Sequence, residues 1–198
     1  MMQSEKMNEL LERNKGILQT AQVLDAGISK QTFYGYVKAH GLERICHGVY
    51  ATQDAWVDTA YILHLRCRQA VFSHDSALFF YELTDREPTR YSLTVKSGYN
   101  PSKLQADGFR VFTVKESLHG VGLTDGKTPF GHTVPVYDME RTICDLLRSR
   151  SRMETQELQT ALREYVRKKE KNLQRLMQYA PIFGVEKLLR QYLEVLLV

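Results

Sequence analysis

The stretch GISKQTFYGYVKAHG, residues 27–41, decides the fold. Phe33, Tyr36, Val37 and His40 recur at i, i+3, i+4 and i+7, one face of a helix running from about Lys30 to His40. Lys30, Tyr34 and Lys38 line up on another face, with Gln31 beside them. Ser29 stands where an N-cap is needed, because its hydroxyl can accept from a backbone N–H that the first turn leaves unpaired.

Working upstream, ILQTAQVLDAGIS predicts a helix capped by Thr20 and running to Ala26, with Ala21, Val23 and Leu24 as its apolar side. Gly27 follows, where a left-handed residue ends a helix at little steric cost. Two short helices joined by a glycine turn form the pattern of a helix-turn-helix. The plain alternative is a pair of helices in a bundle, with an ordinary solvated face. Working downstream, LERICHGVYAT reads as two short strands around His47-Gly48, a hairpin that makes the unit a winged helix. MNELLERN adds one more short amphipathic helix before the pair.

The outward residues suit duplex DNA. Lysine reaches phosphates or guanine acceptors, glutamine pairs bidentately with adenine, and threonine or tyrosine touches a thymine methyl or a phosphate. Because the N-terminal part of such a helix meets base edges, Ser29, Lys30, Gln31 and Thr32 are candidates for bases or nearby phosphates. Tyr34 and Lys38 are candidates for the deeper groove or the backbone. Arg44 and His47, on or near the hairpin tip, suit phosphate or minor-groove contact, and His47 serves equally as a plain turn residue.

Beyond the wing, DAWVDTAYILHLRCRQ (54–69) is helical in pattern, with Val57, Ala60, Tyr61 and His64 as one stripe. In VFSHDSALFFYEL, Ser73 is placed as the cap of a further helix. His74, Asp75 and Ser76 suggest a catalytic triad, but neighbours along a helix diverge where a triad must converge. A capping role is the better reading.

TDREPTR, residues 84–90, is polar and holds Pro88, which places a boundary there. The chain divides at that point into residues 1–85, a winged helix-turn-helix (core 1–52) with a helical extension, and residues 86–198. RYSLTV and FRVFTV alternate as half-buried strands do, and SGYNPSKLQADG is a loop with one helical turn. VGLTDGKTPFGHTVPVYD reads as two strands around Asp125-Gly126 and a Gly/Pro-rich connection. Helices then follow to the end: one capped by Asp138, one long helix across ETQELQTALREYVRKKEKN, and a last one over GVEKLLRQYLEVLL. The fold class is α+β, with a small mixed or antiparallel sheet in the second domain.

At 198 residues, 43% hydrophobic and 25% charged, the composition is that of a globular protein. There is no apolar run of membrane-spanning length, and the N-terminus has no signal-peptide pattern, so a cytoplasmic protein is expected, with no membrane partner. Cys46, Cys67 and Cys144 are scattered and read as reduced small hydrophobic residues. Net charge is 0 over residues 1–55, −1 over 56–140 and +5 over 141–198. The excess favours an anionic partner, nucleic acid foremost, with a solvated helical face as the alternative. Arg148, Arg150, Arg152, Arg163, Arg167 and Lys168 form a candidate second basic DNA surface. Phosphate-loop, dinucleotide, zinc-protease and C-x-x-C motifs are absent, so no catalytic residue, metal or cofactor is expected.

Three features, in order along nearly the whole chain, resemble the AbiEi-type antitoxins of bacterial abortive-infection, or type IV, toxin–antitoxin systems. They are the wing ending in Gly48-Val49-Tyr50, the SH-x-SAL helix at Ser73 to Leu78, and the Asp-x-Glu-Arg-Thr helix start at Asp138 to Thr142. The resemblance implies a phage-defence antitoxin that represses its own operon by binding inverted repeats in the promoter. It also implies a C-terminal domain that counters a nucleotidyltransferase-like toxin, without requiring a stable complex. It carries the DNA-contacting role onto Lys30, Gln31, Tyr34, Lys38 and Arg44. The winged segment is electrically neutral, so binding requires charges sorted by face. The rival readings are a ligand-responsive one-component transcriptional regulator and, behind it, a DNA-processing enzyme.

Overall fold

The computed structural model describes residues 2–56 and 58–196; Val57, placed by the sequence in a helical stripe, lies outside them. The chain forms two compact units. The first is Met1–Arg68 with Thr128–His132. The second is Gln69–Lys127 with Thr133–Val198. The sequence expectation set the division near residue 85, whereas the chain crosses after Arg68, and the helix starting at His74 lies in the second unit.

In the first unit the order is α1 (Met2–Arg13), β1 (Ile17–Gln19), α2 (Thr20–Asp25), α3 (Lys30–Ala39), β2 (Glu43–Cys46), β3 (Val49–Ala51) and α4 (Thr59–Arg66). An antiparallel sheet of order β1-β3-β2 backs the helices, as in a winged helix. The turn between α2 and α3 is made by backbone geometry. Gly27 is left-handed at φ 79°, and it closes a Schellman motif in which Gly27 N–H donates to Leu24 O (2.9 Å) and Ile28 N–H to Val23 O (3.2 Å). Gly41, at φ 63°, ends α3 with the matching bond from Leu42 N–H to Val37 O (3.0 Å). Met7, Leu18, Val23, Ile28, Phe33, Tyr36, Leu42 and Tyr50 form the core. Phe33 meets Tyr50 edge-on, with ring centroids 5.3 Å apart.

Two expectations change here. Thr20 is the first residue of α2 rather than its cap: Gln19 holds the cap position, and the Thr20 hydroxyl is buried with no hydrogen-bond partner among the described residues. The helix expected across residues 54–69 is shorter, because Asp58 caps α4, its carboxylate accepting from Tyr61 N–H at 3.1 Å.

In the second unit come β4 (Val71–Phe72), α5 (His74–Phe80), β5 (Ser92–Lys96), α6 (Ser102–Ala106), β6 (Arg110–Val114), α7 (Glu116–His119), β7 (Leu123–Lys127), β8 (Thr133–Tyr137), α8 (Met139–Arg148), α9 (Thr155–Arg167), α10 (Leu173–Ile182) and α11 (Glu186–Leu196). The sheet is mixed, of order β6-β5-β4-β8-β7. β4 runs parallel to β8 and antiparallel to β5, and β5 and β6 are parallel.

The helical core gathers Leu78, Ile143, Leu146, Leu147, Leu162, Tyr165, Leu176 and Leu189 from α5, α8, α9, α10 and α11. Its central helix, α8, is buried from Glu140 to Leu147. Such a helix must satisfy its charges internally. Arg141 donates from Nε to Asp145 (2.9 Å) and from a terminal nitrogen to the carbonyls of Leu118 and Val121 (2.9 Å each), while Tyr137 and Phe183 face its guanidinium. Glu140 accepts from Tyr165 Oη (3.0 Å) and Asn172 N–H (2.8 Å). Asp138 caps α8 as expected, accepting from Arg141 N–H at 2.7 Å.

Three further expectations are corrected. Asp125-Gly126 is not a turn but lies inside β7, opposite Pro135 and Val134, and the hairpin turns at 128–132. A Cβ on Gly126 would sit 2.5 Å from Val136 Cγ1, so the glycine answers a close approach of side chain to backbone. Ser73 occupies the cap position of α5, but its hydroxyl serves Thr94 and His74 instead of a helix N–H. The long helix expected across residues 154–172 stops at Arg167, and α10 starts anew under an Asn172 cap. No helix among the described residues is long and apolar enough to cross a membrane.

Candidate nucleic-acid interface

α3 owes its orientation to its own pattern. Phe33 and Tyr36 are buried in the core of the first unit, and Tyr36 Oη donates to Asn8 Oδ1 of α1. Val37 is half-buried; His40, predicted on this inner face, is exposed and stacks on Tyr36 at 3.9 Å. With that side fixed, the opposite stripe is free. Lys30, Gln31, Tyr34 and Lys38 are all exposed, Tyr34 at 48% despite its aromatic ring. The side chains of Lys30, Gln31 and Lys38 have neither ion pair nor hydrogen bond among the described residues. The Tyr34 ring leans on Phe33 (5.3 Å) and Tyr50 (6.2 Å), which steadies it while its edge stays in solvent.

The N-terminus of α3 is built by Ser29, whose Oγ accepts from Thr32 N–H at 3.2 Å. The two hydroxyls also meet at 2.9 Å, so Ser29 and Thr32 are engaged in the cap itself. At the wing, Arg44 and His47 are exposed and touch, guanidinium to Nδ1 at 3.2 Å, while Arg44 Nε donates to the Cys46 carbonyl at 3.4 Å. These bonds hold the hairpin tip in one shape.

The neutral charge balance of this segment is sorted by element. α1 carries Glu5, Glu9 and Glu12 against Lys6 and Arg13, whereas α3 carries Lys30 and Lys38 and no acid. A helix whose exposed side offers two cations, an amide and a phenol, with no carboxylate, can meet phosphates and base edges without repulsion.

In the second unit Arg148, Arg150 and Arg152 are exposed at the end of α8 and in the short 3-10 turn that follows. Arg163 and Arg167 are exposed on α9, and Lys168 is half-buried at its end. Two of these charges are partly answered, Arg167 by Glu164 (2.8 Å) and Lys168 by Glu82 (3.6 Å). His74, Asp75 and Ser76 do not converge as a triad. Asp75 pairs with Arg110 at 2.7 Å and the Ser76 hydroxyl accepts from Ser92 N–H at 2.7 Å, tying α5 to β5 and β6. Among the described residues no group of three His, Cys, Asp or Glu side chains could hold a metal ion. The sequence reading missed β1, the strand that completes the wing sheet, and a cavity in the second unit lined by His74, Ser149 and Arg152. The charge of residues 148–152 was the signal for the second.

Comparison with known proteins agrees with this layout. The crystal structure of the RV2827C protein from Mycobacterium tuberculosis superposes with a TM-score of 0.55 at 13% identity, covering 91% of this chain and 72% of that one, which is a likeness of fold. No curated protein matches the chain. A family profile described as "Transcriptional regulator, AbiEi antitoxin" matches residues 5–53, leaving the SH-x-SAL and Asp-x-Glu-Arg-Thr motifs outside the matched span. It is over these residues, the helices, the wing and the exposed α3 stripe, that the chain matches the AbiEi antitoxin family of transcriptional regulators.

Proposed function

We propose that this protein is a bacterial antitoxin that represses its own operon, reading promoter inverted repeats with α3 and the wing. The carrying observation is the carboxylate-free, exposed stripe of Lys30, Gln31, Tyr34 and Lys38 on a helix locked from behind by Phe33 and Tyr36. Lys30 and Gln31 take base edges, Ser29 and Thr32 take phosphate at the helix start, and Tyr34 and Lys38 follow the groove. Arg44 and His47 take the flanking backbone. The exposed cations Arg148, Arg150, Arg152, Arg163 and Arg167, with Lys168 beside them in sequence, supply a second region of attraction for DNA. The second unit counters a nucleotidyltransferase-like toxin, acting in the cytoplasm and as a binding protein rather than an enzyme.

The test is a gel shift on the promoter upstream of the gene, with wild type against Lys30→Ala and Gln31→Ala. Each specific base contact is worth roughly 1–3 kcal/mol, about one to two decades in Kd. Wild-type binding that both variants retain unchanged refutes the assignment of α3 as the reading helix.

A further inference from the structure

The cavity of the second unit has a volume of about 340 Å³. β6 and β5 contribute Phe112, Thr113 and Thr94 to its lining, α5 contributes His74, and the end of α8 with the following turn contributes Arg148, Ser149 and Arg152. We propose that it binds the terminal phosphate of a small phosphomonoester, held by Arg148, Arg152 and the Ser149 hydroxyl.

The charges point that way. Arg141 and Asp145 also reach the cavity, but they are paired with each other at 2.9 Å, and a terminal nitrogen of Arg141 is spent on two carbonyls. The side chains of Arg148 and Arg152 have no ion pair or hydrogen bond among the described residues. Two guanidinium groups in excess at one concave site match a phosphate dianion, which arginine recognises through paired charge-assisted hydrogen bonds.

The hydroxyls point that way too. Thr94 Oγ1 donates to Ser73 Oγ at 2.8 Å, and Ser73 in turn reaches His74 Nδ1 at 3.0 Å. His74 is 5% exposed, stacks on Phe112 at 3.6 Å and sits at φ 49°, a conformation few non-glycine residues adopt. Burial and the surrounding arginines push its pKa down to about 3, so the ring is neutral, with one donor and one acceptor nitrogen. In the tautomer where Ser73 donates to Nδ1, the ring donates from Nε2 to Ser149 Oγ, 3.2 Å away. In that arrangement Ser149 accepts from the ring and its own proton is left to donate to an anion. A cavity of this volume lies within the range for small ligands, roughly 300–1,000 Å³. A phosphomonoester presents its dianion at the end of a molecule that can enter, whereas a duplex presents monoanionic diesters on a convex surface.

The site stands independently of the role given to α3. Its test is a titration of the full-length ¹⁵N-labelled protein with inorganic phosphate, adenosine monophosphate, adenosine and a random-sequence duplex, each followed by amide shifts. Phosphate and the monophosphate should move Thr113, Ser149, Ser151 and Arg152, and adenosine should not. Arg148→Ala and Arg152→Ala, both at exposed positions, should each weaken monophosphate binding about tenfold or more, and Lys30→Ala should leave it unchanged. No shift at millimolar phosphate or monophosphate, equal affinity in the arginine variants, or shifts at these amides from the duplex alone would overturn the proposal.

Discussion

His74 is buried as a neutral ring, and replacing it should change how stability depends on pH. Its pKa falls from 6.5 to about 3 on folding, chiefly through burial, then through the fields of Arg141, Arg110, Arg148 and Arg152. The folded state therefore excludes a proton that the unfolded chain binds. The stabilising contribution is complete above the unfolded pKa and is lost as pH falls from about 6.5 toward about 3. His74→Asn is the suitable perturbation, because asparagine tolerates the left-handed backbone found at this position. The missing ring packing gives a pH-independent offset. The pH-dependent remainder is about 1.4 kcal/mol per unit, so from about pH 7.5 to about pH 4.5 the wild type should lose about 3 kcal/mol relative to the variant. Asp145 acts in the opposite sense in both proteins and cancels in the difference. Burial raises its pKa to about 6 despite the Arg141 pair, so its contribution declines as pH rises through that range. Urea melts of both proteins across this interval measure the difference directly. A difference that stays level with pH, or a His74 ring titrating near its ordinary value in the folded protein, would refute the reasoning.

Ser29→Ala removes the cap of α3 and should lower stability by about 1 kcal/mol, seen as a lower melting temperature. Gly126→Ala places a methyl group against Val136 and should cost roughly 1–3 kcal/mol in chemical denaturation, with the strand pairing of β7 retained. Charge reversal at Arg148, Arg150 and Arg152 should weaken operator binding with little loss of sequence preference, the salt slope flattening by roughly 0.9 for each phosphate no longer neutralised. An unchanged slope in titrations across salt concentration would take these arginines out of the DNA path.

What the sequence made legible was local. The face of α3, the Ser29 cap, the two strands around His47-Gly48 and the Asp138 cap each follow from spacing within a dozen residues. What it concealed was set by distant partners. Ile17 to Gln19 is a strand only because β3 pairs with it, which three residues cannot announce. Asp125-Gly126 has the chemistry of a turn, yet the glycine is there to clear Val136. RKKEKN has good helix formers, but the chain breaks there because Asn172 caps the next helix and its N–H is held by Glu140 of α8. In the candidate interface the exposed stripe was readable. That Ser29 and Thr32 engage each other, and Arg44 and His47 likewise, is set by side-chain rotamers that spacing does not specify. The cavity was hidden because its lining comes from segments far apart in the chain.

The first unit is not contiguous. Thr128–His132 belongs to it, and within that loop Thr128 Oγ1 donates to Asp58 Oδ2 (2.6 Å) while His132 Nδ1 meets the same oxygen (2.8 Å), with the imidazole stacked on Tyr61. A ribosome that has delivered only the first 68 residues has made most of the first unit, but Asp58 Oδ2 still lacks the Thr128 hydroxyl and the His132 ring. Completion of the first unit is thereby scheduled to follow synthesis of much of the other. Cutting the gene at the apparent boundary would yield a fragment in which Asp58 keeps its bond from Tyr61 N–H but loses both partners of Oδ2.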